Sequence, residues 1–392
     1  MSEYRFQIED LSRTAAATRS DVQGNRTVRT KRRRILMVGM HLTKTRGGIS
    51  TLTADILKSS FVVENEVRYI ASQAEDFGPF RKLLLAAASF VRFVCLCLFW
   101  RPLLVYVHMG SNASLYRESL FVLVGKMFRT SVIVHFHAGD IDNYYPLQPK
   151  FGRVFIKSSL AKCDRVIAVS LESSRQLWEL DRQLKITVIP NAIDTSAFRE
   201  RSSTAESTFD EPIRILFVGA IGKLKGEKDL IAALARVRNE IPETLVSILG
   251  YGAEDLAAEC TAHGIADLIE HLGPVSMDDR IAFYERSDIF VLPTYAEAMP
   301  MSVIEAMAAG LPVITTNVGG IPELIEHQIE GLLHEPGDIT ALAHQIKRLA
   351  NDRTKRFALG TRARSRVDEQ MNFSKYVDRL RSEIDSVCGA TK

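Results

Sequence analysis

The segment Arg34-Ile-Leu-Met-Val-Gly39 returns later in the chain as Arg214-Ile-Leu-Phe-Val-Gly219. Each copy is an unbroken apolar run closed by glycine, the pattern of a strand buried on both faces that ends in a tight turn. After each copy, short apolar runs alternate with longer stretches of helical period, which is how βαβ units read. The pattern predicts two α/β domains, each a doubly wound parallel sheet, and 392 residues suffice for two separate cores. Further strands are expected near Val67–Ala71, Leu104–Val107, Val132–His137, Arg165–Val169 and Ile186–Ile189. In the second half they fall near Leu245–Leu249, Ile269–Leu272, Ile289–Leu292 and Pro312–Thr315, and residues 339–387 read as helical. The expected organisation is a basic tail (1–33), a first domain (34–198), a polar linker (199–211), a second domain (212–370) and a final helix (371–392).

The most informative stretch is Pro293-Thr-Tyr-Ala-Glu-Ala-Met-Pro-Met-Ser-Val-Ile-Glu305 with its continuation to Glu323. Pro293 ends the strand Ile289–Leu292, and Pro300 suits the start of a helix running to Gly310. Glu297 then lies in a strand-to-helix loop, at the sheet edge where open α/β folds bind ligands, and the amides of Met301 and Ser302 favour an anion such as a diphosphate. Glu305 lies deeper, inside the helix. Both carboxylates are expected on a loop or helix face, so that neutralising either leaves the fold intact.

Several separated motifs give this reading a context. Gly47-Gly48-Ile49, His135-Phe-His-Ala-Gly-Asp140, Ile189-Pro-Asn-Ala-Ile-Asp194, Phe217-Val-Gly-Ala-Ile-Gly-Lys-Leu-Lys-Gly226, the E-x7-E pair, Asn317-Val-Gly-Gly-Ile-Pro-Glu323 and Gly331-Leu-Leu follow one another in this order. Together they resemble glycosyltransferase family 4, retaining enzymes of the GT-B fold, over roughly Ile35–Val387. The resemblance implies two Rossmann-like domains facing a cleft, an acceptor-binding first domain, a nucleotide-sugar-binding second domain, and a last helix that returns to the first. It implies that Glu305 holds the ribose hydroxyls, that Met301 and Ser302 offer amides to the diphosphate, and that Lys225 stabilises the leaving group. It further implies that Glu297 holds hydroxyls of the donor sugar and that His137 sits beside the reacting centre, with the leaving diphosphate itself available as base. Gly47, Gly48 and Gly219 belong to the donor-binding turns. One departure stands out: Ala220 occupies the place of the family arginine, so that either Lys223 supplies the missing charge or the leaving group is less well stabilised here.

His135 and His137 are two apart on a strand and so point the same way, His135 serving as the structural member. Asp140-Ile-Asp142 matches a D-x-D metal motif but falls in the acceptor half, so no metal is expected, and residues near Asp142, Asn143 and Tyr144 are candidates for acceptor contact. Five cysteines without metal-ligand spacing fit reduced, buried thiols in a cytosolic protein.

The formal net charge of +3 is uneven, because residues 1–34 carry nine Lys/Arg against four acidic residues. Lys31-Arg-Arg-Arg34 suits anionic lipid headgroups, and a solvated leader is the alternative. No nucleic-acid motif is present, and the first thirty residues lack the apolar core of a secretory signal. Leu83–Trp100 is apolar apart from Ser89 and Arg92, which share one sector with Arg81 and Lys82. A central arginine costs a spanning helix roughly 2.5–3.5 kcal/mol, so the run is read as a helix that packs on the first domain and touches a membrane surface, with plain burial in the core as the alternative.

The resemblance implies a metal-independent, retaining hexosyl transfer from a UDP- or GDP-linked sugar to a hydroxyl. The acceptor is a saccharide or a lipid-linked saccharide of bacterial surface or exopolysaccharide synthesis. The expected location is cytoplasmic, peripheral on the inner face of the inner membrane. Two alternatives stay open: an inactive nucleotide-sugar-binding subunit, suggested by Ala220, and a nucleotide-sugar epimerase needing no acceptor.

Overall fold

In the computed structural model, which describes residues 32–42, 44–45, 47–199, 201, 211–222 and 224–389, twelve strands form two six-stranded parallel sheets. The first holds β1 (Arg34–Met40), β2 (Glu66–Gln73), β3 (Leu104–Met109), β4 (Ser131–Phe136), β5 (Arg165–Ala168) and β6 (Ile186–Val188) in the order β2-β1-β3-β4-β5-β6. Every position of β3 and β4 is buried, because helices cover both faces of the sheet, and this is why both strands read as continuous apolar runs.

The second sheet holds β7 (Ile213–Val218), β8 (Thr244–Leu249), β9 (Ile269–Gly273), β10 (Ile289–Leu292), β11 (Val313–Thr316) and β12 (Gly331–His334) in the order β12-β11-β10-β7-β8-β9. β10 therefore pairs directly with β7, across a reversal of the winding direction. At such a switch point the two neighbouring loops leave toward opposite faces, and a crevice opens beyond the strand ends. The recurring apolar segments thus begin the two sheets, β1 in one and β7 in the other. β12, only four residues long and opened by Gly331, was not foreseen.

The chain divides into two units, one comprising residues up to Ala168, Ser174–Ile189 and Val377 onward, the other Val169–Ser173 and Pro190–Tyr376. The change at Pro190 comes ahead of the polar stretch 199–211, because 190–198 is tied into the second unit: Asn191 Nδ2 donates to the Met299 carbonyl at 2.9 Å, and Ile193 bridges Asn372. The last helix, Phe373–Gly389, belongs to the first unit from Val377 on. There it buries Leu380 and Ile384, and Arg381 donates to Ser60 Oγ and Glu64 Oε1, each at 2.7 Å.

The apolar run near residue 90 forms the helix Pro79–Cys95 and a wider closing turn, Leu96–Trp100. Its inward face carries Ser89, Phe93, Cys97 and Trp100. Ser89 thus leaves the polar sector expected for it, because its hydroxyl donates to the Ala71 carbonyl of β2 at 2.7 Å. The outward face is apolar, with Leu83 67% and Phe99 83% exposed. All five cysteines are free, but Cys95 on this helix is exposed rather than buried.

Candidate active site

The β7–β10 switch point gathers the residues that the sequence singles out in the second unit. The loop after β7 runs from Gly219 to Gly226, and the loop after β10 from Pro293 to Pro300. They are laced together by Thr294 Oγ1 and the Tyr295 amide, which both donate to the Leu224 carbonyl at 2.7 and 2.8 Å. Gly226 makes the approach possible: its φ is +72°, and a Cβ there would stand 1.9 Å from the Pro293 carbonyl oxygen. Lys225 is thereby delivered to Glu297, its Nζ donating to Oε1 at 2.5 Å in a pair that is partly open to solvent.

A third loop supports Glu297 from the other side. Thr316 at the end of β11 donates its hydroxyl to the Thr294 carbonyl at 2.6 Å. Gly319 comes next with φ +55°, and a Cβ on it would lie 1.7 Å from the Glu297 carbonyl oxygen. Glu323, further along, accepts the amides of Leu171 and Glu172 at 2.8 and 3.0 Å.

The helix after the Glu297 loop spans Met301–Ala308, with Pro300 as its extended N-cap rather than its first helical residue. The amides of Met301 and Ser302 therefore belong to the first turn, where no intrahelical acceptor exists for them. Glu305 sits one turn deeper and is only 4% exposed. Arg280 Nη2 and the Tyr284 hydroxyl each donate to its carboxylate at 2.8 Å. Burial raises its pKa above the usual carboxylate value, against the opposing pull of Arg280 and Tyr284. The expectation that Glu305 lies on an open helix face, where neutralising it does not touch the fold, is thus corrected: the carboxylate is buried and paired. Its two carboxylate oxygens keep spare lone pairs, so a hydroxyl-binding role remains open to it.

Arg280, Tyr284 and Asn191 are supporting residues that sequence reasoning missed. Arg280 and Tyr284 are four apart on the helix Met277–Arg286 and so share a face, a spacing that becomes informative only once the helix is known to pack on Glu305. Ala220, where the family has arginine, is exposed, and Lys223 lies outside the described residues.

In the first unit, Gly47 caps the helix Gly48–Lys58 with φ +153°, and Ser50 Oγ donates to the Gly47 carbonyl at 2.8 Å. His137 comes directly after β4, at its carboxyl end and partly exposed, while His135 is fully buried. His108 of β3 stands in register beside His135. Its Nδ1 lies 3.0 Å from His137 Nε2, and the Tyr106 hydroxyl lies 2.8 Å from His135 Nδ1. Burial pushes the His108 pKa down to about 3 and holds His135 and His137 well below the usual imidazole value, so all three rings are neutral near pH 7. His108 was missed because the expected strand stopped at Val107. The two aspartates of the D-x-D match turn to separate partners, Asp140 accepting from Ser111 Oγ at 2.8 Å and Asp142 pairing with Arg175 at 3.2 Å.

Residues 198–366 match the family model described as Glycosyl transferases group 1, and residues 58–197 match Glycosyltransferase Family 4. The chain is 30% identical over 193 residues to glycogen synthase of Mycobacterium tuberculosis, which is 48% of this chain and 46% of that protein. N-acetyl-alpha-D-glucosaminyl L-malate synthase of Bacillus anthracis is 31% identical over 264 residues, 64% of this chain and 66% of that one. Amylovoran biosynthesis glycosyltransferase AmsK of Erwinia amylovora is 29% identical over 277 residues, 67% of this chain and 64% of that one. The matched stretches thus span from about half to just under two thirds of these relatives.

Among solved structures, sucrose-phosphate synthase from Thermosynechococcus elongatus superposes with a TM-score of 0.77 at 20% identity, covering 92% of this chain and all of that one. Anabaena Alr3699/HepE in complex with UDP-glucose gives a TM-score of 0.69 at 18% identity, covering 90% of this chain and 99% of the other. At such identities the likeness is one of fold, and the fold is GT-B.

Proposed function

Because the chain belongs to the group 1 glycosyl transferases of family 4, with two GT-B sheets, we propose that it moves a sugar from a nucleoside diphosphate to a hydroxyl with retention at the anomeric carbon. The observation that carries this reading is the convergence at the β7–β10 switch point of Lys225, Glu297, the first-turn amides of Met301 and Ser302, and Glu305. The amides and Lys225 suit a diphosphate, whose charge grows as the glycosidic bond breaks. Glu305 and Glu297 are hydroxyl acceptors at two depths beside that anion, suited to ribose and to the transferred sugar. No carboxylate is assigned as a covalent nucleophile, since Glu297 is committed to Lys225 and to sugar hydroxyls. For His137 the family resemblance implies a place beside the reacting sugar.

The complex of Alr3699/HepE with UDP-glucose favours a UDP-linked hexose as donor, and the likeness to AmsK, an amylovoran biosynthesis glycosyltransferase, favours a saccharide acceptor; that this acceptor is lipid-linked and met at a membrane rests on the sequence resemblance alone. Lysine and helix amides take the part of a cation, so turnover is expected to proceed without added metal. The test is a panel of UDP- and GDP-sugars, scored first by thermal stabilisation and then by release of the free nucleotide. A ligand at a hundred times its Kd adds about 2.7 kcal/mol. Stabilisation by one donor with slow nucleotide release supports the reading; stabilisation without any release, with or without saccharide acceptors, points to the inactive binding subunit.

A further inference from the structure

We propose that His108, His135 and His137 form a binding site for a single divalent cation of the Zn²⁺ class at the carboxyl edge of the first sheet. One ring nitrogen from each lies within 4.8 Å of the other two. The backbone produces this convergence. His135 and His137 are alternate residues running off the end of β4, and so project to one face, while His108 is the cross-strand neighbour of His135 on β3.

Three imidazoles from two adjacent strands, with a fourth position left for water, are a ligand set that zinc accepts, at Zn–N distances of about 2.0–2.1 Å. Around a tetrahedral ion such distances set ligand nitrogens about 3.4 Å apart. The His108 and His137 nitrogens, 3.0 Å apart, need only open slightly, and the third ring already offers a nitrogen within 4.8 Å.

Two further observations point to a ligand rather than to packing alone. The Tyr106 hydroxyl at His135 Nδ1 orients that ring, the kind of outer support that metal-bound histidines have. His108 Nδ1 and His137 Nε2 face each other at 3.0 Å, two ring nitrogens that share one proton between neutral rings, and an ion placed between them replaces that proton and takes a lone pair from each. His137 is the partly exposed member and gives the ion its way in. Cysteine and carboxylate are missing from the set, which favours Zn²⁺, Co²⁺ or Ni²⁺ over Mg²⁺ or Ca²⁺. Bound there, the ion would take a lone pair of His137. It would therefore inhibit rather than assist sugar transfer, a consequence that rests on the role proposed for His137.

The experiment is titration of the chelator-treated, tag-free full chain with Co²⁺, read by the visible d–d absorption of a tetrahedral complex, followed by displacement with Zn²⁺. One equivalent of Co²⁺ with tetrahedral absorption, weakened at least tenfold in His137→Ala and in His108→Gln, is the expected result. Far-UV circular dichroism and melting of each variant show that it is folded, and His137→Ala, at the strand end, serves if the buried His108 variant is not. Absence of tetrahedral absorption at millimolar Co²⁺, or absorption that persists unchanged in a folded His137→Ala, overturns the proposal. Because this readout needs no donor, it stands or falls separately from the transferase reading. Inhibition of donor turnover by Zn²⁺ tests the role of His137 and not the site.

Discussion

Lys225 Nζ donates to Glu297 Oε1, joining the loop after β7 to the loop after β10 across the switch point of the second sheet. The pair has a chemical consequence. Without donor, the lysine is neutralised by the same carboxylate that is proposed to hold the sugar, so a diphosphate must share or take over the ammonium as it binds. Lys225→Ala should lower kcat/KM roughly 10²- to 10³-fold, the range for losing one preorganised group at a developing anion. Glu297→Gln should lower kcat more than donor affinity, because its hydroxyl contacts strengthen as the sugar acquires charge. The double variant should lose less than the product of the single effects, since the two side chains act as one unit. Full turnover in Glu297→Gln would end the assignment.

Gly319 offers a sharper test of how the Glu297 loop is held. A methyl group at this position would stand 1.7 Å from the Glu297 carbonyl oxygen, on a backbone whose φ of +55° already disfavours a side chain. Gly319→Ala should displace the loop and cut turnover at least tenfold, while the far-UV spectrum stays that of the parent. A variant with parental kcat would show that the loop position is not needed.

Glu305 carries both a stability and a pH prediction. Arg280 and Tyr284 each donate to a different oxygen of this carboxyl group, and Gln offers one oxygen where Glu has two, so Glu305→Gln should destabilise by about 1–3 kcal/mol through the donor left without an acceptor, and should weaken donor binding as well. The pKa of Glu305 is raised above 4.5 in the folded state, chiefly by burial. The folded protein therefore holds the proton more tightly than the unfolded chain. The stability this confers is complete below pH 4.5 and is lost as pH rises through the raised value. The cost of Glu305→Gln, measured by urea melts, should shrink over that interval. Donor affinity should move oppositely and strengthen with rising pH, as the carboxylate becomes a pure acceptor for ribose hydroxyls. A cost that grew with pH would show that Arg280 outweighs burial.

The different fortunes of these residues show what pattern can carry. The sheets were legible because strands buried on both faces have no polar positions, as in β3 and β4, and Glu297 was placed in its loop by Pro293 and Pro300 alone. The setting of Glu305 was not legible. Its exposure depends on the helix bearing Arg280 and Tyr284, which is contributed by an earlier βαβ unit, and no local period reports such packing. The same applies to Ser89, whose burial is set by an acceptor on β2, and to His108, whose meaning comes from the strand beside it. β12 was missed because four residues opened by glycine show no periodicity.

Chelation supplies a further check on the donor site. With Lys225 and helix amides proposed to meet the diphosphate, EDTA should leave activity unchanged, or raise it where Zn²⁺ had occupied the histidine group. Loss of activity that Mg²⁺ or Mn²⁺ restores would assign a catalytic ion and overturn the metal-independent reading.

The outward face of the helix Pro79–Trp100 bears on where the acceptor is met. This helix is long and apolar enough to cross a membrane by length and composition, and only 17% of its most apolar window is buried. Phe80, Leu83, Val91 and Phe99 are exposed beside the exposed cations Arg81, Lys82 and Arg92, a combination suited to lying in an anionic lipid surface. Two cations of the run Lys31–Arg34 are engaged within the first unit. Arg33 pairs with Asp385 and Arg34 donates to the Trp100 carbonyl, while Lys31 lies outside the described residues. We therefore expect sedimentation with anionic liposomes that is partly resistant to high salt, the resistant part coming from the apolar face. Phe93 is fully buried and a poor probe, whereas Leu83 and Phe99 are not packed inside and can be replaced without opening a cavity. Each apolar side chain inserted is worth about 1.5–3 kcal/mol, so Leu83→Ser with Phe99→Ser should abolish the salt-resistant fraction at an unchanged melting temperature. Removal of residues 1–33 should reduce only the salt-sensitive fraction. If the intact protein stays in the supernatant at low salt, the membrane assignment falls and a soluble saccharide becomes the acceptor to pursue.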